Sequence, residues 1–251
     1  MPSRIPHGAT VLLGVLAFTA VDPSLTAAEV VQIVSGRDNT LVESPGGLWS
    51  NGAGPSFFAG RTAQATNSIR RGLVWFDVAG AVPAGATISG ASLRLSLTAA
   101  SSTLAVGVGL HRVNASWGEG ASNAGDGGGG GAPAQPGDAT WIHRSFDSVL
   151  WATPGGDFVA AASATLPVGD LGNYTWPSNP QLLADVAGWL LAPADNHGWL
   201  VRGAESTQPT SKKFESKESA TAALRPILTI EYELPVPAAG STWGRVKATY
   251  R

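Results

Sequence analysis

The sequence predicts an all-β protein, a jelly-roll-like antiparallel β-sandwich with one short helix at about 180–191 and long loops. Three observations carry that expectation. Two stretches around Ile69–Val78 and Ile88–Thr98 alternate apolar and polar residues, the pattern of strands with one face buried. The 32 glycines and 17 prolines fall mostly between such stretches, where they stop ladders and form turns. Only one segment, Pro180–Leu191, has apolar residues at helical spacing.

The elements follow in order. Glu29–Ser35 (EVVQIVS) reads as a first strand, followed by a turn and a short extended piece over Gly36–Glu43. Pro45–Pro55 reads as a loop and Phe57–Arg61 as a brief strand. In the first long stretch Val74, Phe76 and Val78 alternate with Leu73, Trp75 and Asp77. That places Trp75 on the polar-facing set, either beneath the helix or exposed on the sheet. In the second, Leu93, Leu95 and Leu97 share a face while Ser92, Arg94, Ser96 and Thr98 point to water. The two are read as strands of one antiparallel sheet joined by the turn at Val82–Ala86. Leu104–Asn114 is the next strand. A long irregular region follows, with five consecutive glycines at Gly127–Gly131 that read as a flexible, unpacked loop. Short strands are expected within Val159–Val168 and Asn173–Trp176. The helix has Ser178 as a candidate cap, Pro180 in its first turn and a stripe of Leu182, Leu183, Val186, Trp189 and Leu190. His197–Gly203 and Arg225–Glu233 complete the strands.

Composition excludes several functions. Sixteen basic residues against 18 acidic ones give a formal charge of −2, so no basic field exists to draw nucleic acid. Residues 1–28 read as a signal peptide: Arg4, then the apolar run Ala9–Ala20, then small residues before Glu29. The run is too short to cross a bilayer, and no other transmembrane segment is expected. The domain then spans 29–233, and 234–251 reads as a Pro/Ala/Gly linker with a short basic tail. There is no cysteine, so no disulfide supports a secreted chain that must rely on its core.

Several phrases in order resemble a known family: RRGLVWFDVAGAVPAGATISGASLRLSL, VGLHRVNASWGEG, GDATW, TPGGDF, DVAGWL before NHGWLVRG, and KKFESKES before RPILTIEYE. Together they are similar to the secreted bacterial DNRLRE-type domain, related to carbohydrate-binding module family 96. The resemblance spans nearly all of 29–233. It implies a jelly-roll sandwich without catalysis, located outside the cell or at its surface, and polysaccharide binding with alginate among the ligands. No ligand-contact motif maps residue by residue.

The candidate chemistry is correspondingly non-catalytic. His111, His143 and His197 have no metal spacing, and no nucleophile or phosphate-loop motif occurs. Sugar rings stack on exposed aromatics with polar groups beside them. The candidate ligand-binding residues are therefore Trp117 with Glu119, Trp141 with His143, Trp151 and Trp49, all in loops; Trp189 and Trp199 suit the core. A structural calcium is a further possibility, with Asp38, Asn39 and Glu43 clustered after the first strand. In KKFESKES, the lysines Lys212, Lys213 and Lys217 suit either an acidic polysaccharide or a solvated edge strand. The expected function is a secreted binding module for a polysaccharide or cell-surface glycan. The rival is a structural or adhesive surface domain, and a weaker third is a glycan-processing enzyme. A binder is expected to expose several loop tryptophans over one face; a structural domain is expected to bury or scatter them.

Overall fold

A computed structural model describes residues 28–207 and 209–234. The expected signal segment, apart from its last residue, and the tail beyond Leu234 lie outside the described residues. The strands are β1 (Glu29–Val34), β2 (Arg37–Val42), β3 (Trp49–Ser50), β4 (Ser56–Arg61), β5 (Ile69–Trp75), β6 (Thr87–Ala100), β7 (Val106–Arg112) and β8 (Ala132–Pro133). They continue with β9 (His143–Ser145), β10 (Val149–Leu150), β11 (Ala164–Val168), β12 (Gly172–Trp176), β13 (Trp199–Arg202), β14 (Lys212–Glu215) and β15 (Ile227–Glu233). Helix α1 is the single turn Val78–Ala81, and α2 is Pro180–Leu191. Among the described residues no helix is long and apolar enough to cross a membrane.

The architecture is an antiparallel β-sandwich made from one curled sheet. One wall holds β1, β15, β6, β12, β14 and the start of β4; the other runs β2, β5, β13, β7, β11. Strand β4 belongs to both, because Ser56–Ala59 pair with β14 while Gly60 and Arg61 pair with β5. Gly60 makes the change of wall: its φ is +106°, and a Cβ there would stand 2.6 Å from the Thr210 carbonyl.

The strands β5 and β6 therefore do not pair, contrary to expectation. They lie in opposite walls, and Asp77 ends β5 by capping α1, its carboxylate accepting from the Gly80 N–H at 3.0 Å. The main core fills the space between the walls with Phe57, Val74, Phe76, Leu93, Leu95, Val108, Leu110, Trp176, Phe214 and Ile230. Helix α2 closes it with Leu182, Val186 and Trp189, the last 4.5 Å from Trp199 between ring centroids. Asn179 rather than Ser178 caps α2, accepting from the Gln181 and Leu182 N–H groups; the Ser178 hydroxyl instead accepts from Ala91.

A second core explains why the alternation in β5 misleads. Leu41, Leu73 and Leu200 lie on the outer face of the second wall and are fully buried. The chain between β7 and β11 covers them with Val113, Trp117, Ala139 and Trp151. Its two ends meet where the Asn114 N–H donates to the Asp157 carbonyl at 2.8 Å. The glycine run is part of this layer. Gly128 is buried, Arg70 Nε donates to the Gly129 carbonyl, and β8 just beyond pairs with β3, so the run is partly packed, while Gly127 and Gly130 face open space.

Strand β14 is no edge strand. It pairs with β4 and β6, and Lys212 is 0% exposed. Its ammonium donates to the carbonyls of Ser102, Leu104 and Gly169 at 2.6, 3.2 and 3.1 Å.

Candidate functional site

The loop tryptophans divide by what they touch. Trp117 is buried, its indole Nε1 donating to the His197 carbonyl at 2.8 Å. The Arg37 guanidinium lies 5.1 Å from its ring and 4.5 Å from that of Trp75, and donates to the Trp117 carbonyl at 2.9 Å. Trp75 is half-buried, with its Nε1 donating to Asn196. Trp151 is buried and donates to the Thr140 carbonyl at 2.9 Å. Trp141 is half-buried with the Arg71 guanidinium 4.9 Å from its ring. Trp117, and Arg71 over Trp141, tie the outer layer to the wall, while Trp151 braces the layer internally, so Trp117 and Trp151 are not available as stacking platforms. A period-two pattern carries no information about a face covered by chain 40 residues later.

Trp49 alone of the candidates is well exposed, at 41%. It sits on β3 opposite Pro133. His143 is half-buried, its Nδ1 3.0 Å from the Thr140 hydroxyl and its ring edge-on to Phe146 at 5.2 Å. Trp49, Trp141 and His143 do not share one open face with Trp117 and Trp151.

The acidic residues assemble differently from the expected trio. Asn39 is fully buried and spent on structure: Nδ2 donates to the Glu119 and Ala139 carbonyls, and Oδ1 accepts from Thr40, Asn51 and the Ser50 hydroxyl. Glu43 accepts from the Ile69 N–H at 2.8 Å, at the far end of β2. Asp38 instead meets Glu119 and Glu218, with one carboxylate oxygen of each within 4.8 Å of the others. Lys217 stands among them, its ammonium 3.2 Å from Glu119 Oε1 and in contact with Glu218 Oε1. Burial, and then the Glu218 charge, push the Asp38 carboxyl well above its ordinary value; burial also raises Glu119. WGEG and SKES carry Glu119 and Glu218, but separations of 81 and 180 residues from Asp38 hide the meeting from any local reading.

Two open pockets that meet at Asn114 lie beside the outer layer and are taken together as one groove. One part, about 520 Å³, is lined by Asn114, Thr153, Asp157 and the half-buried Phe158. A smaller polar part, about 180 Å³, adds Arg112, Asp195 and His197 and shares Asn114. The Asp157 carboxylate is held in place by the Ala152 and Thr153 N–H groups. Burial lowers the His197 imidazole below its usual value despite the nearby Asp195 charge. Asn114 beside Trp117, and Asp157 after Trp151, fall within the polar surroundings of the loop tryptophans, while Arg112 and Asp195 are not among the residues that the aromatic pattern singles out. The phrases HRVN and ADNH contain most of them, without a spacing that marks a site.

Comparison with protein-family models and with curated proteins gives no match to this chain.

Proposed function

We propose that the chain is a non-catalytic extracellular module that binds a polysaccharide through this polar groove rather than through an aromatic platform. The carrying observation is the lining. Arg112, Asn114, Asp195 and His197 offer donors and acceptors suited to sugar hydroxyls, and Phe158 offers a single ring for one sugar face. The secreted reading of residues 1–28 and the resemblance to the DNRLRE-type domain support the same class. Catalysis is left out because the three-acid cluster contains Lys217 and has its Asp38 shut off from solvent, a poor arrangement for attack on a glycosidic bond.

A structural or adhesive surface domain is the second reading, favoured by the burial of Trp117 and Trp151. Titration of the full chain with a panel of neutral and acidic polysaccharides decides between them. Saturable binding that Asn114→Ala and Arg112→Ala each weaken about tenfold, about 1.4 kcal/mol, supports the groove. Binding untouched by both changes places the ligand elsewhere, and absence of binding across the panel favours the structural reading.

A further inference from the structure

We propose that Asp38, Glu119 and Glu218 form a binding site for a hard divalent cation of the calcium class. The three carboxylates come from β2, from the start of the outer layer and from the turn after β14, and converge within 4.8 Å. Convergence alone is common among acidic side chains. The second observation is Asp38 itself: it is 0% exposed, and its Oδ1 is buried with no hydrogen-bond partner. Its Oδ2 is fully engaged, accepting from the Lys217 N–H at 2.8 Å and the Ser35 hydroxyl at 3.3 Å. A buried carboxylate oxygen left without a donor is costly, and a cation is a partner that needs no proton.

The donor set fits this class of ion. All three ligands are carboxylate oxygens, which suit calcium or magnesium over softer metals. The cations nearby are Lys217, which touches Glu119 and Glu218, and Arg37, which is tied to the Trp117 carbonyl. Neither donates to Asp38 Oδ1. The Lys217 ammonium sits on a flexible stem, so it can yield its place to a divalent ion. A bound ion would join the first wall, the second wall and the outer layer at one point, the role that disulfides play in secreted chains with cysteine.

The test uses the full chain and calcium chloride, with magnesium chloride as the parallel arm, after chelator treatment. Isothermal titration of the parent is expected to show one saturable calcium site. Glu218→Gln and Glu119→Gln are each expected to weaken it at least tenfold. Lys217→Met, which removes the competing ammonium, is expected to tighten it. The last variant separates a cation site from a plain ion-pair network, in which losing Lys217 lowers stability and leaves calcium without effect. No saturable binding to the parent and to Lys217→Met at millimolar calcium overturns the proposal. So does binding that neither glutamine variant changes. Saturable binding of magnesium but not calcium overturns the assignment to the calcium class.

Discussion

The indole of Trp117 donates to the backbone carbonyl of His197 at 2.8 Å, joining positions 80 residues apart. That bond makes the outer layer part of the fold, and it sets the expected outcome of changing this tryptophan. Trp117→Ala is expected to cost about 3–5 kcal/mol, since it empties a buried site. Trp117→Phe is expected to cost about 1–3 kcal/mol, since it leaves the carbonyl unpaired. Urea unfolding measures both. A Trp117→Ala protein as stable as the parent would contradict the anchoring role.

Asp38 and pH form the second prediction. Its carboxyl is raised above the ordinary value of 3.8 by burial and by the Glu218 charge. A carboxyl with a raised native pKa favours folding below its unfolded value, and that contribution is lost as pH rises through the native value. In chelator-treated protein, Asp38→Asn is expected to gain on the parent as pH rises from about 4 to 7. Denaturant midpoints across that range report the difference. An asparagine variant that falls behind the parent as pH rises would refute this.

Glu205 has the opposite sign. Burial alone would raise its carboxyl, but hydrogen bonds and charge from Arg71 and Arg202 outweigh burial and lower it below 4.5. Arg71 grips it at 2.7 and 3.0 Å, and Arg202 adds a third bond at 2.8 Å. The stability it contributes is present above the unfolded value and is lost as pH falls through the native one. Glu205→Gln is expected to cost about 2–3 kcal/mol at pH 7, since it removes the charge that pairs the buried Arg71 guanidinium, while the more exposed Arg202 is left to water. The deficit should shrink below pH 4.5. An equal deficit at pH 3 and pH 7 would show that packing, not charge, is lost.

Lys212 has three carbonyl partners and no exposure. Lys212→Ala is expected to cost about 3 kcal/mol or more, from unpaired carbonyls and a cavity. Lys212→Met keeps much of the volume and should cost less. Calorimetric unfolding compares the two, and a harmless alanine change would mean that water replaces the ammonium.

How much was legible varies with the element. Pro180–Leu191 is a helix over the residues its spacing indicates, because a 12-residue amphipathic stripe with a proline start is a local signal. The final strand is likewise local, with Leu228 and Ile230 both at 0% exposure. The cap of α2 moved by one residue, since the Ser178 hydroxyl was claimed by the distant Ala91 N–H. The buried Lys212 and the packing of Gly128 and Gly129 were not legible, because their partners lie far along the chain.

The amino-acid sequence by itself determined the all-β class, the positions of the longer strands, the helix and the absence of disulfides, because these follow from side-chain periodicity and from residue chemistry; the two-residue strands β3, β8 and β10 and the three-residue β9 are too short to carry a periodic signal. The tertiary structure alone decided which wall each strand joins, which tryptophans are covered and which acids meet. Those depend on pairing between segments as far apart as Glu29 and Tyr232, and Asp38 shows why. Its neighbours Asn39 and Glu43 turn to structural hydrogen bonds, while Glu119 and Glu218 arrive beside it only when the sandwich closes.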